Sequence, residues 1–286
     1  MADPDRTGLT DELVDDRPND LRRLAITVAI EAGAMLTNAA ARLAGGDDLD
    51  VRSKSSATDP VSEADRSAEQ LIATRLSTAR PDDGLVGEEG QGPRTGTSGL
   101  TWIVDPLDGT VNFLYGAPTW SVSIACTDAS GGLVGVVHDP NRGETFHAVR
   151  GGGAWIRGED SEDLALHCSE VAGLDATLVS TGFAYEPEVR AEQATDVARL
   201  LAEVRDIRRG GSAALDLCWT AAGRVDAFLE FALSPWDWAA GALLVEEAGG
   251  RVSHTRRRYA GQEHPGVIAG GPVAHDHLAH WLEARP

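Results

Sequence analysis

Lysine is almost missing from this chain: 24 arginines accompany a single lysine, Lys54, against 45 acidic residues, and the formal charge is -20. So negative a surface repels phosphate backbones and anionic membranes, which argues against nucleic-acid or lipid binding through net charge. An anionic substrate can then be held only by recruited cations or by a locally arranged site. Cysteine is scarce as well. Cys126, Cys168 and Cys218 are odd in number and far apart, which fits buried thiols in a reducing compartment better than a disulfide framework or a metal site. No stretch approaches the ~18 apolar residues of a membrane span. The opening MADPDRTGLTDELVDDRPND has no basic region followed by an apolar run, so no secretory signal is visible. These absences predict a cytoplasmic acidic globular protein with no membrane partner.

The chain has enough to build a core: 286 residues, 42% of them hydrophobic and 5% aromatic. That suits one large domain or two intimate halves. Residues 1–18 carry acidic and small polar residues and read as a flexible acidic tail. From Asn19, Leu21, Leu24, Ala25, Val28, Ala32, Met35 and Leu36 recur at helical spacing, with Asn19 or Asp20 as cap, and Gly45-Gly46 ends the helix. A second helix is predicted over about 62–79. Strand-rich runs follow at 101–104, 121–126, 133–138 and 145–149, with hairpins at Gly131-Gly132 and Asn141-Arg142-Gly143. After Asp175 strands at 176–180, 206–208, 225–231, 250–253 and 267–269 alternate with helices at about 188–204, 212–223, 238–248 and 274–284. This is a layered α/β or α+β architecture of two sheet-centred halves, 19–160 and 161–286.

The chemistry concentrates at strand ends. In Trp102-Ile-Val-Asp105-Pro-Leu-Asp108-Gly-Thr110-Val-Asn112-Phe113 an apolar strand runs into two aspartates, with proline between them turning the backbone. Both carboxylates can then point into one space, and the amides of Gly109 and Thr110 can meet an anion. Carboxylates and anion-seeking amides belong together if metal ions stand between carboxylate and phosphate, although a capped Asp-Gly turn would also read this way. Upstream, Gly87-Glu88-Glu89-Gly90 follows an apolar strand and places one carboxylate inward, or else is a solvated acidic loop. Downstream, Gly210-Gly211-Ser212-Ala213-Ala214-Leu215 reads as a glycine turn, a serine cap and a helix start. Trp236-Asp237-Trp238-Ala-Ala-Gly241 puts Asp237 at the start of a helix of small residues, where it can cap free amides.

Together, GEE at 87–89, DPLDGTVNF at 105–113, GSAAL at 211–215 and WDWAAG at 236–241 resemble the inositol monophosphatase family of magnesium-dependent phosphatases, in the family's order and spacing over nearly the whole chain after residue 19. Four motifs in register are specific where any one is weak. The resemblance implies an α+β fold, a layered α/β/α/β/α sandwich of the sugar-phosphatase type, and a homodimer.

By similarity, Glu88, Asp105 and the Leu107 carbonyl bind a first Mg²⁺; Asp105, Asp108 and Asp237 bind a second; a weaker third sits near Glu88, and Glu89 is a further candidate site residue. Two to three divalent ions would make this acidic site able to accept a phosphate. The implied reaction is in-line attack on phosphorus by a metal-activated water, with Thr110, Asp65 and Glu88 orienting or deprotonating it. Lys54, in the stretch from Lys54 to Asp65, would approach the metal-site waters or the phosphate. Asp108, Gly109, Thr110, Ala213, Glu230 and Asp237 would contact substrate, Glu230 taking polyol hydroxyls. The implied activity is release of phosphate from myo-inositol 1-phosphate, with sensitivity to Li⁺. Ser234-Pro235 departs from the histidine many relatives place there. Sugar or nucleotide bisphosphates are the alternative substrates, and a non-catalytic regulatory role in transcription or ribosome assembly is the alternative function.

Other conspicuous residues read as structural. His275, His277 and His280 suit a solvated helix face over a metal cluster, Arg256-Arg257-Arg258 a loop run with phosphate or partner binding as the alternative, and Cys218 core packing. Trp219, Trp236 and Trp238 suit walls of the site or of a subunit interface.

Overall fold

The protein's structure, a computed structural model, describes residues 17–45, 51–53, 60–90, 94–158 and 161–284. In chain order the elements are α1 (Arg17–Ala44), β1 (Val51–Ser53), β2 (Pro60–Ser62), α2 (Glu63–Ala79), β3 (Gly84–Gly87), β4 (Thr101–Asp108) and α3 (Thr110–Leu114). Then come β5 (Ser121–Asp128), β6 (Gly131–Asp139), β7 (Glu144–Val149), β8 (Gly153–Arg157) and β9 (Leu164–Ala165). The rest of the chain gives β10 (Leu178–Ser180), α4 (Pro187–Leu201), β11 (Asp206–Arg208), α5 (Ala213–Ala221), β12 (Ala227–Phe231), α6 (Pro235–Glu247), β13 (Arg251–Tyr259), β14 (Gln262–Gly270) and α7 (Pro272–Glu283).

Two sheets result: seven strands in the order β3-β4-β5-β6-β7-β8-β9 and five in the order β11-β10-β12-β14-β13, with β1 and β2 forming a separate antiparallel ribbon. On one face of the larger sheet, α1 and α2 bury Leu21, Val28, Leu36, Ile72 and Leu76 against Trp102, Ile124 and Val136. The opposite face meets α5 and α6, whose small-residue surfaces (Ala214, Cys218, Ala240, Leu244) also pack on the second sheet through Phe228 and Val267. Outermost, α4 and α7 cover the far side of that sheet with Val189, Leu200, Leu278 and Trp281. The layers therefore run α/β/α/β/α. Helices α5 and α6 are apolar over most of their circumference because two faces of each are buried, and Cys218 sits in that middle layer as packing.

Several sequence expectations are corrected. Helix α1 starts at Arg17, so Asn19 and Asp20 lie in its first turn and do not cap it; residues 1–16 of the expected tail lie outside the described residues. By length and composition α1 is apolar enough to cross a bilayer, contrary to the sequence reading, yet one face of it is spent on the sheet. Strands β8 and β9 were not anticipated, and β13 extends six residues beyond Ser253, so Arg256-Arg257-Arg258 is strand, not loop. His275 is buried, its ring bonded to Ser253 at 2.8 Å, whereas His277 and His280 are exposed as expected.

Candidate active site

The two aspartates of β4 owe their common direction to a defect in the strand. Asp105 pairs with Ser123 and Asp108 with Ser121, so β4 holds one residue more than β5 over this interval. Pro106 has no N–H to give the ladder, and the extra residue is a bulge. Side chains three apart on a regular strand face opposite ways; one extra residue flips the alternation and brings both carboxylates to one side. The N–H of Leu107 then donates to Asp105 Oδ1 at 3.0 Å.

Glu88 arrives from the neighbouring strand. β3 runs parallel to β4 with Gly87 opposite Val104, and the Glu88 N–H donates to the Val104 carbonyl at 3.2 Å, which sets Glu88 beside Asp105. Asp237 comes from across the middle layer. It caps α6 from inside the helix and not from before it: Ser234 is the N-cap, and Asp237 at the third helical position closes a capping box by accepting the Ser234 N–H at 2.6 Å.

Glu88, Asp105, Leu107, Asp108, Gly109, Thr110, Ala213, Glu230 and Asp237 line one open pocket of about 540 Å³. Burial raises the pKa of Asp105 well above the usual carboxylate range, and the fields of Glu88, Asp108, Asp237 and Asp65 push the same way. Asp108 is pushed up to about 6 by burial, against hydrogen bonds from Ser212 and the amides of Ala214 and Ala213. Asp237 is raised by burial and then by Asp108. None of the principal influences on these three acids is a basic side chain. Buried, mutually repelling hard-oxygen donors without a cationic counterpart are a donor set that suits a hard divalent cation. Among the described residues no three acidic, His or Cys groups converge on a single coordination point. Mg²⁺ keeps several waters and needs only one or two carboxylates per ion, so a spread-out set fits it.

Thr110 is buried at the start of α3, its hydroxyl 3.4 Å from Asp65 Oδ2 and 3.1 Å from the Leu107 carbonyl. Asp65 does not line the pocket; it reaches the site through Thr110. Glu89 also lies outside the lining, and its N–H donates to Glu69 Oε2 at 2.6 Å. Lys54 lies outside the described residues. Glu230 faces the pocket while its carboxylate is enclosed: a Cβ on Gly182 would stand 2.1 Å from Oε1. Burial pushes Glu230 up to about 8, aided by Asp216 and Asp108 and opposed by Arg209. Trp236 walls the pocket; Trp219 does not, and instead lies 5.0 Å beneath the Arg142 guanidinium.

Sequence reasoning missed Glu69, Asp216 and Arg209. Glu69 sits one helical turn after Asp65 on the buried face of α2, where a carboxylate among Ala68, Ile72 and Ala73 was the available signal. Asp216 is buried one turn into α5 and raised by burial, then by Asp108. Phe183 and Tyr185, which wall the pocket's outer side, follow β10 at the carboxyl end of its parallel pairs, where such loops commonly form sites.

A family model described as "Inositol monophosphatase family" matches residues 18–285. Inositol-1-monophosphatase SuhB of Mycobacterium tuberculosis is 42% identical over 273 residues, covering 92% of this chain and 93% of that protein. Nus factor SuhB of Pseudomonas aeruginosa is 41% identical over 253 residues, covering 86% and 90%. The solved structure of Mycobacterium tuberculosis SuhB superposes with a TM-score of 0.78 at 36% identity, over 94% of this chain and 98% of that one.

Proposed function

The chain belongs to the inositol monophosphatase family and is a phosphatase, and on that premise we propose that it is a Mg²⁺-dependent phosphomonoesterase that releases phosphate from myo-inositol 1-phosphate. The observation that carries this reading is the single pocket in which Glu88, Asp105, Asp108 and Asp237 meet the start of α3 on one side and Glu230 on the other. Glu88, Asp105 and the Leu107 carbonyl would hold one ion and Asp105, Asp108 and Asp237 another, not every carboxylate directly but some through the waters Mg²⁺ retains, with a weaker third near Glu88. Bound Mg²⁺ supplies charge neutralisation for the phosphoryl and leaving oxygens and lowers the pKa of water.

The chain's own groups account for the remainder. The amides of Gly109 and Thr110 orient the phosphoryl oxygens. The Thr110 hydroxyl, between Asp65 and the Leu107 carbonyl, orients the attacking water and passes its proton toward the Asp65 carboxylate. Water oxygen bonds to phosphorus as the bond from phosphorus to the alcohol oxygen breaks in line, and the departing alcohol takes up a proton. Glu230 and Ala213 hold the ring hydroxyls.

The direct test is phosphate release from myo-inositol 1-phosphate with Mg²⁺ in the wild type and in Asp108→Asn. A loss of about a hundredfold or more is expected from removing a metal-site charge; undiminished turnover in the variant would remove the mechanism. We extend the proposal to inhibition by millimolar Li⁺ at a metal position and to a homodimer, measurable by sedimentation. Three free cysteines suit a reducing compartment, the cytoplasm.

Similarity to proteins named Nus factor SuhB favours a second, regulatory reading. Capture of partners by wild type and by Asp237→Asn separates the two, because a regulatory contact survives loss of the metal site.

A further inference from the structure

Strand alternation divides the arginine run that the active site leaves unused. Arg257 turns toward α4 and makes two bonds to Asp196, at 2.7 and 3.0 Å, and Tyr259 donates to the same carboxylate at 2.9 Å. Arg256 lies on the opposite face of β13 together with His254, two residues earlier. That face is only partly covered. Trp238, in the first turn of α6, reaches His254 with ring centres 4.4 Å apart, and beyond it Arg256 stands exposed with no carboxylate partner among the described residues.

The uncovered part walls an open groove of about 580 Å³, floored by Leu233, Pro235, Trp238 and Pro265. Leu233 and Pro265 also line the active-site pocket, so groove and pocket share a ridge and open side by side. Among the described residues no acidic side chain lines the groove. The neighbouring carboxylates are Glu246, within the field of His254, and Glu263, the register partner of Arg258, and neither forms its wall. In a chain of charge -20 this is a local inversion.

We propose that this groove is a second subsite of the active-site mouth, taking an apolar arm that ends in an anionic group and is carried by the phosphorylated alcohol. The inference rests on the phosphatase reading above. The floor removes the arm's methylene or aryl surface from water, and the Arg256 fork with His254 pairs the terminal anion. An exposed ion pair alone contributes little. Here the substrate's own phosphate anchors the arm in the adjoining pocket, so the second contact forms at high effective concentration.

The test compares hexane-1,6-diol bisphosphate, hexyl phosphate and myo-inositol 1-phosphate as substrates of the full chain with Mg²⁺. The wild type is expected to favour the bisphosphate over hexyl phosphate about fivefold or more in kcat/KM, as charge complementarity of this size allows. In the double variant Arg256→Ala/His254→Ala that preference falls to about two, the statistical factor for a substrate with two equivalent phosphate ends, with the other two substrates changed less than about twofold, as for removal of a contact they never make. Absence of the preference in the wild type, its survival in the variant, or an equal loss on all three substrates overturns the subsite. If none of the three esters is hydrolysed, the phosphatase reading fails separately. Calorimetric titration of hexane-1,6-diol bisphosphate into Ca²⁺-loaded protein then decides: weaker binding in the double variant supports the groove, and equal or absent binding overturns it.

Discussion

Asp108 and Ser212 lie 104 residues apart and are joined by a hydrogen bond of 2.6 Å, the serine hydroxyl donating to Oδ2. The same oxygen accepts the Ala214 N–H at 2.7 Å, and Ser212 Oγ in turn accepts the Leu215 N–H as the N-cap of α5. A carboxylate from the larger sheet thus completes the start of a helix in the middle layer.

Ser212→Ala removes both bonds at once. We expect a loss of about 1–3 kcal/mol from the missing cap and the buried carboxylate left short of a donor, read from urea denaturation. The Mg²⁺ concentration giving half-maximal activity should rise at the same time, since Asp108 loses its fixed orientation. A stability loss with an unchanged Mg²⁺ requirement would show that the serine only caps the helix.

Glu69 supports Glu88 from beneath. Its carboxylate takes the Glu89 N–H, and it lies so close under Gly87 that an added Cβ would meet it at 2.6 Å. Gly87→Ala must therefore displace either Glu69 or the turn, at a cost of about 1–3 kcal/mol for an overpacked buried position. Calorimetric titration of Mg²⁺ should show weakened binding. Native-like affinity in a destabilised variant would mean that the turn yields without moving Glu88.

Glu230 gives a pH signature. Its pKa rises from 4.5 to about 8, first through burial and then through Asp216 and Asp108. Between those values the folded chain keeps a proton that the unfolded chain has released, so this group's contribution to stability falls as pH rises through the window and is level above about 8. Glu230→Gln removes the effect. In metal-free protein its Tm should gain on the wild type steadily from about pH 5 to about pH 8. A difference that stays constant, or shrinks, contradicts the enclosed carboxylate.

Asn112 ties the two sides of the pocket together, its Nδ2 donating to the carbonyls of Thr119 at 2.6 Å and Gly210 at 2.9 Å. Asn112→Ala leaves two half-buried carbonyls to find other donors, an expected loss of about 1–2 kcal/mol by thermal denaturation. An unchanged Tm would show that solvent replaces both bonds freely.

Local signals were legible where a residue's neighbours in sequence are also its neighbours in space. The 3.6-residue apolar spacing marked α1 and α2, glycine turns marked the β5–β6 and β6–β7 hairpins, and Gly-Gly-Ser marked the start of α5. Edges were less clear. β8 and β9 are short strands in which only Ala154 is buried, so no strong alternation announced them, and the outer half of β13 is polar because it borders solvent. His275 looked like one of three surface histidines, and only the packing of α7 against β13 buries it.

By itself the sequence determined the layered architecture and which acids were candidates for a metal site, because periodicity and motif spacing are properties of the chain. Only the tertiary structure decided which carboxylates share a field. The bulge in β4 turns Asp105 and Asp108 the same way, parallel pairing sets Glu88 beside them, and the middle layer delivers Asp237 and Ser212 from more than a hundred residues away. Likewise, pleat alternation alone sends Arg257 to Asp196 and Arg256 to the open groove. Charge and burial act through distance in space, and distance in space is what folding adds.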